Sequence, residues 1–355
     1  MMAEAGPAPI RVAVIGGGFI ADYHVNGLRA AGGAEVSALV SRSAANAARR
    51  AAELGVTRWE TDHRRVLDDP GIDAVVVATP DDTHASVATD ALAAGKAVLL
   101  QKPMALNAAE CRAIIAAGKA STAPLTVSFM HRYFPEVGWL KQVLAEGSLG
   151  SIHMVRMRNA TPGADWNDWF YTADHVAGGV VMQLGVHGID LIRHLFGPIS
   201  EVSARMTTAR PERRLKDGRL VRSRLEDNVL ATYQLRGSAM ATHEMSYTEV
   251  QGCDRFRLEV YGEKGTAWLR TERGAAALFT PAATGREEWV TPRLPSEPFG
   301  AAHHRHWLSI VRGESPRDDT PEAGLVSIEV AEAIYSASAS GRRETLADAT
   351  GEGRS

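Results

Sequence analysis

Cysteine is scarce in this chain: Cys111 and Cys253 are the two in 355 residues, far apart and without CxxC or metal-ligand spacing. A disulfide scaffold is therefore excluded, and a reducing compartment is expected. There is also little excess of either charge, with 42 acidic against 39 basic residues. Proteins that track nucleic-acid phosphates carry a strong basic surplus, so nucleic acid is not expected as a partner. No apolar run approaches the ~18 residues needed for a spanning helix. Residues 1–9 lack a basic stretch followed by an apolar one, so no signal peptide is expected and the chain reads as cytoplasmic. Internal repeats are missing too. What remains is 45% hydrophobic and 23% charged, a globular composition long enough for two domains.

The first third alternates short β-rich runs with Ala-rich segments, the form of βαβ units around a parallel sheet. Strands are expected at Ile10–Ile15, Glu35–Val40, Asp73–Ala78, Ala97–Leu100 and Leu125–Phe129, with helices at Ile20–Ala31, Ser43–Leu54, Thr83–Ala94 and Asn107–Lys119. The run Ala74-Val75-Val76-Val77-Ala78 is apolar throughout, as in a strand covered on both faces. From His131 the pattern changes. A helix to Glu146, a polar and aromatic stretch and a helix at Met182–Phe196 precede alternating strands at Glu226–Leu235, Ala239–Tyr247, Arg255–Tyr261 and Thr266–Thr271. Arg210–Arg224, with seven basic and two acidic residues, reads as a solvated hairpin loop. Helices at Ala301–Val311 and Pro321–Ser340 lead into a tail expected to fray. The fold class is α/β: an N-terminal doubly wound parallel sheet of Rossmann type over residues 1–130, then a C-terminal α+β domain over 131–355 with a largely antiparallel open sheet.

Gly16-Gly17-Gly18-Phe19-Ile20-Ala21 fits G-x-G-x-x-A, directly after a strand and opening a helix. Gly16 suits the tight turn, Gly18 lets backbone approach a pyrophosphate, and Ala21 allows close packing. The N–H groups at the helix start, around Phe19 and Ile20, face the anion. At the end of the second strand, where NAD-binding chains place a carboxylate on the ribose hydroxyls, stand Ser41 and Arg42. A hydroxyl and a guanidinium in place of an acid favour a 2′-phosphate, so NADP is expected over NAD, with NAD still possible.

Ala78-Thr79-Pro80-Asp81-Asp82-Thr83-His84, Ala91-Leu92-Ala93-Ala94-Gly95-Lys96 and Gln101-Lys102-Pro103 follow. Further on come residues 178–190, with His187, and the Glu226-Asp227 strand start. With these motifs the sequence resembles the glucose–fructose oxidoreductase and inositol dehydrogenase family (Gfo/Idh/MocA) over nearly its whole length. The resemblance implies substrate bound between a Rossmann domain and a C-terminal domain whose open sheet forms a dimer or tetramer interface. It implies that Thr79, Pro80 and His84 border the dinucleotide, and that the strand ending in Gln101 and Lys102 lies beside the nicotinamide. It also makes Lys102 the active-site lysine and His187 the acid–base histidine, acting on sugars, polyols or their derivatives. The chemistry agrees: oxidising a secondary alcohol needs an acid–base group and a donor for the developing alkoxide, which an imidazole and an ammonium supply. The amine and the imidazole are then expected to converge over one redox ring.

Two positions depart from the family pattern, Gln101 and Gln183, where many members carry acids. On a regular helix Gln183, His187, Asp190 and His194 would share one stripe. Gln183 can then hydrogen-bond substrate, and Asp190 can orient the imidazole or anchor its helix. Residues 165–171 hold Trp166, Trp169 and Tyr171 among polar neighbours, a composition that suits a sugar ring as well as an anchored loop. Arg132 can reach cofactor or substrate, or form an ordinary salt bridge. His303, His304 and His306 lack helical metal-pair spacing with a nearby acid, and no metal is expected. The expected activity is an NADP-preferring dehydrogenase or reductase acting on CH–OH groups. Nicotinamide-assisted cleavage of a glycosidic bond without net redox, and a dinucleotide-sensing regulator, are the alternatives.

Overall fold

Val12, Ala13, Val14 and Ile15 are all buried, although successive strand residues point to opposite faces, so β1 (Ile10–Ile15) is covered on both sides. The computed structural model describes residues 8–172, 175–235, 237–250, 254–270 and 276–346. Cys253, Thr271 and the tail after residue 346 lie outside them. After β1 come α1 (Ile20–Ala31), β2 (Ala34–Val40), α2 (Ala44–Glu53), the short β3 (Trp59–Glu60) and α3 (Arg64–Leu67). β4 (Ala74–Val77), α4 (His84–Ala93), β5 (Ala97–Leu100), α5 (Ala108–Ala120) and β6 (Leu125–Val127) complete the alternation. The strands form a wholly parallel sheet in the order β3-β2-β1-β4-β5-β6. This is the doubly wound arrangement, and the order reverses between β1 and β4, where open α/β sheets bind ligands at their carboxyl edge. Local signals set the helix starts. Ser43 Oγ accepts from Asn46 N at the head of α2. Asn107 caps α5, its Oδ1 accepting from Glu110 N, while the Glu110 carboxylate reaches back one residue further, to Leu106 N.

The second body of chain begins at His131. The helix expected from His131 to Glu146 is interrupted. Met130–Tyr133 make one tight 3₁₀ turn, Phe134 is extended, and α6 (Pro135–Ala145) starts at the proline. Proline disfavours helical backbone in the residue before it and suits the first helical position, which explains the break. Then come β7 (Ile152–Ala160), α7 (Val186–Phe196), β8 (Ile199–Thr207) and the hairpin β9 (Glu212–Arg214) with β10 (Leu220–Arg222). β11 (Asn228–Leu235), β12 (Met240–Ser246), β13 (Phe256–Gly262), β14 (Thr266–Arg270), β15 (Ala276–Phe279), α8 (Pro281–Thr284) and β16 (Glu344–Thr345) follow. Eight of these strands form one sheet in the order β15-β14-β13-β7-β12-β11-β8-β16, antiparallel except for the parallel pair β7 and β12. One face is core: Val229, Ala231, Tyr233 and Leu235 are buried, while Leu230 between them is 65% exposed. Helix α7 lies against the sheet at two glycines. A Cβ on Gly188 would sit 2.3 Å from Asn159 Oδ1, and one on Gly185 2.4 Å from Met245 Sδ.

Two helices remain, α9 (Ala301–Val311) and α10 (Thr320–Ser340). The sequence division at 130 and 131 marks the first crossing between bodies. Residues 296–325, however, pack with the Rossmann sheet, and 326 onward with the second body. The reason is apolar: Trp307 and Leu308 of α9 are buried in the same core as Val12, Val25 and Leu28. Thr320 Oγ1 accepts from Val127 N, so the backbone of β6 is also satisfied from this segment. Among the described residues no helix is long and apolar enough to cross a membrane.

Candidate active site

Gly16 has φ +122°, and a Cβ there would lie 2.2 Å from Ala78 O and 2.8 Å from Thr79 N. The ends of β1 and β4 touch at this point, so a side chain is excluded. At Gly18 a Cβ would meet nothing within 4 Å, and the outer side of the turn is open to a pyrophosphate. Arg50 of α2 fixes the turn from behind, its Nε donating to Gly17 O at 3.1 Å and its Nη2 to Gly18 O at 3.3 Å. Ser41 lies beside Gly17 and accepts from Asn46 Nδ2 at 2.8 Å. Arg42 is exposed and makes no ion pair among the described residues. Phe19 is half exposed at the head of α1, just before Ile20. The residues present fit a dinucleotide: a glycine cradle, free space beyond it, and a hydroxyl and a guanidinium at the end of β2.

Thr79 and Pro80 leave the carboxyl end of β4, partly exposed. His84 stands beneath them, 1% exposed, with Nδ1 2.8 Å from Pro103 O and Nε2 3.0 Å from Thr79 O. It clasps the Thr79 loop to the turn that follows β5, and its ring is spent on backbone. That turn carries Lys102, partly exposed, in a cis peptide with Pro103. Gln101 is buried and faces inward: its Nε2 donates to His24 Nε2 at 2.6 Å and Ser128 Oγ at 3.1 Å, and its Oε1 accepts from Lys102 N at 3.2 Å. The glutamine placed beside the cofactor by its sequence position is thus a support under the lysine turn.

In the second body His187 lies in the first turn of α7, 3% exposed. Its ring stacks on His131, with centroids 4.1 Å apart and planes 15° from parallel. His131 is itself wedged against Phe134 and Phe256. Asp190, one turn on, takes both ends of the Arg132 guanidinium, Nε at 2.8 Å and Nη2 at 2.5 Å, and both side chains are almost wholly buried. Of the options open in the sequence, the salt bridge is the one formed. Arg132 and Asp190 thus brace the histidine helix.

Gln183 is buried on a π turn, Val181–Gly185, that runs into α7. The regular stripe expected from position 183 therefore holds only from Val186 onward, a local widening often found at functional sites. The far end of the stripe turns away: His194 Nε2 meets Lys141 Nζ at 3.2 Å. At the head of the π turn, Gly179 N and Val181 N donate to the two carboxylate oxygens of Glu226 at 3.1 and 3.0 Å, and Tyr335 Oη donates to the same carboxylate at 2.8 Å. Burial pushes the Glu226 carboxyl above its usual range, partly offset by these donors.

The aromatic loop divides. Trp166 is 46% exposed and meets Phe170 edge-on, and Trp169 stacks on Phe170 at 4.0 Å. Tyr171 instead joins a small core with Ala164 and Leu215, its hydroxyl donating to Ala164 O, and it anchors the loop. The basic hairpin is not uniformly solvated either. Arg213 is buried, pairing with Asp227 at 2.9 Å beneath an otherwise exposed β9. Two of the late histidines reach back to α1, His303 Nδ1 to Tyr23 Oη at 3.0 Å and His304 Nε2 to His24 Nδ1 at 2.9 Å, while His306 lies 3.8 Å from Asp318. Sequence reasoning passed over His24 and His131. Neither carries a motif, and their partners lie far along the chain.

Residues 10–129 match the profile described as an oxidoreductase family with an NAD-binding Rossmann fold, and 137–268 match the GFO/IDH/MocA C-terminal domain. The chain belongs to the GFO/IDH/MocA family. It is accordingly an oxidoreductase with a nicotinamide-dinucleotide Rossmann domain. Inositol 2-dehydrogenase 2 of Paenarthrobacter aurescens is 30% identical over 342 residues, 92% of this chain and 95% of that protein. Levoglucosan dehydrogenase of Pseudarthrobacter phenanthrenivorans is 32% identical over 227 residues, 59% of this chain and 57% of that one. Among solved structures, a levoglucosan dehydrogenase in complex with NADH superposes with a TM-score of 0.85 at 23% identity, covering 96% of this chain and 99% of its own, a likeness of fold.

Proposed function

We propose that the chain moves hydride between nicotinamide and a hydroxylated carbon of a sugar, a polyol or a related carbonyl compound. Relatives that match over more than nine tenths of the chain are named for inositol and for D-apiose, and another for levoglucosan. The carrying observation is the Lys102 turn, held at the carboxyl edge of the sheet by bonds to Gln101 and His84. Bound nicotinamide supplies the hydride acceptor. The protein's part is charge and proton. Lys102 brings an ammonium to the alkoxide that develops as hydride departs, and His187, flat against His131, takes the hydroxyl proton. In this reading the two groups meet at one substrate, with Gln183 bonding a substrate hydroxyl and Trp166 and Trp169 offering faces to the ring.

The end of β2 supports NADP as the preferred cofactor. Ser41 and the exposed Arg42, which makes no ion pair among the described residues, stand where a carboxylate would repel a 2′-phosphate. Fluorescence titration should show NADPH binding more tightly than NADH, and Arg42→Ala should weaken NADPH about tenfold while sparing NADH. Equal affinities in the unaltered protein would refute the preference. A panel of sugars and polyols, followed by reduced-nicotinamide absorbance, tests the substrate class. The outer face of the eight-stranded sheet, where Leu230 and Met240 are more than half exposed, supports a homo-oligomer.

A further inference from the structure

The backbone at Lys102 is tied to a line of side chains that ends at α9. Lys102 N donates to Gln101 Oε1, Gln101 Nε2 to His24 Nε2, and His24 Nδ1 faces His304 Nε2 at 2.9 Å; His304 Nδ1 lies 2.7 Å from Gly300 O. Both ends are backbone and admit no choice: an N–H can only donate, and a carbonyl can only accept. Between them every junction needs one proton. The only assignment that meets this, with Gln101 Nε2 also donating to Ser128 Oγ, runs one way from Lys102 to Gly300. Each imidazole then carries its single proton on Nδ1. Turning the amide round would set its NH₂ against Lys102 N–H, and a second proton on either ring would set two donors face to face.

We propose that His24 and His304 are positioning residues for the Lys102 turn, acting through Gln101 as a one-way line of donors that requires two neutral rings and an amide at position 101. The proposal rests on the reading of Lys102 given above. It also explains why a carboxamide stands at 101. A carboxylate can accept from Lys102 N but has no proton for His24 Nε2, so the line would need one extra proton, with one of the two rings charged.

The surroundings suit the neutral state. His24 is wholly buried, packed edge-on against Tyr23 and His304, and His303 lies 5.0 Å from His304. Among the described residues no carboxylate pairs with His24 or His304; on this segment Asp318 lies beside His306 and Glu297 pairs with Arg305. Burial, and for His24 the neighbouring histidines, hold both rings well below the usual imidazole range, His304 at about 4.

The test has two arms on the full chain. Nitrogen-resolved NMR of the histidine rings, assigned with His24→Gln and His304→Gln, should show both as neutral Nδ1–H tautomers from pH 8 down to pH 5.5; an isolated imidazole prefers Nε2–H, so the pattern is diagnostic. An Nε2–H tautomer or a charged ring at either position overturns the line whatever the turnover. In steady-state kinetics, His304→Gln keeps an acceptor and a donor in order and should hold kcat near that of the parent. His304→Leu, of similar size but without them, should lower kcat about 10- to 100-fold with KM for cofactor little changed. Gln101→Glu should lose activity at pH 8 and regain it as the pH falls and the line takes up the missing proton. Equal kcat for the Gln and Leu variants, or a Gln101→Glu profile parallel to the parent's, overturns the positioning role. Loss of Lys102's own importance would appear separately, as full turnover in Lys102→Ala with the tautomers intact.

Discussion

Lys102 and His187 carry the chemistry in the proposed reading, and each is testable by one truncation. Lys102→Ala and His187→Ala should each lower kcat by about 10²-fold or more while dinucleotide affinity, read by fluorescence, stays near that of the parent. Unchanged turnover in either variant would remove that residue from the mechanism. Gly16 makes the opposite kind of demand. Its Cβ would fall 2.2 Å from a backbone carbonyl, and its φ of +122° is strained for any L side chain. Gly16→Ala should therefore abolish dinucleotide binding in the same titration and lower the melting temperature; binding within twofold of the parent would contradict the account of the turn. The motif that contains Gly16 was plain from its spacing after a strand. His131 was not, because a single histidine beyond a strand end has no periodicity, and its stacking on His187 joins residues far apart in sequence.

At the scale of elements, the buried strands of the Rossmann sheet were readable because β4 and β5 are apolar at every position. In the second body β7 and β8 were missed. Their outward positions carry Arg156, Arg158, Glu201 and Arg205, so their mean character is polar although Val155, Met157 and Val202 are buried. Alternation was present but masked by long charged side chains. The π turn ahead of α7 has no sequence signal of its own; it is seen through Glu226, which binds Gly179 N and Val181 N, and Tyr335. Tyr335→Phe removes one donor from that carboxylate and should cost about 1 kcal/mol in urea unfolding. If Glu226 positions the helix, hydrogen exchange at residues 179–187 should also quicken. No change in exchange there would show that the helix start is held by packing.

Across the whole molecule, buried neutral histidines set the response to acid. Burial lowers His304 to about 4 and His243, on β12 between Asn159 and Tyr233, to about 3, against 6.5 for the free side chain. The unfolded chain therefore binds more protons than the folded one below pH 6.5, and stability falls as pH drops from there toward 4. For His304 the shift corresponds to a loss on the order of 3 kcal/mol. Urea unfolding at pH 7.5 and 4.5 should show this, and His304→Gln should flatten the slope. A slope identical in parent and variant would mean that other groups dominate.

The hydrophobic rhythm changes at residue 131, where the second compact unit begins. The return of α9 was not legible, since an amphipathic helix does not announce which core it joins. That return has a practical consequence for anyone dissecting the gene. A fragment stopped at residue 130 would strip Trp307 and Leu308 from the core around Leu28 and leave His24 without its imidazole neighbour. Expressed alone it should be sticky and insoluble; a soluble nucleotide module would have to be stitched from two stretches of DNA, with residues 296–325 rejoined through a short linker.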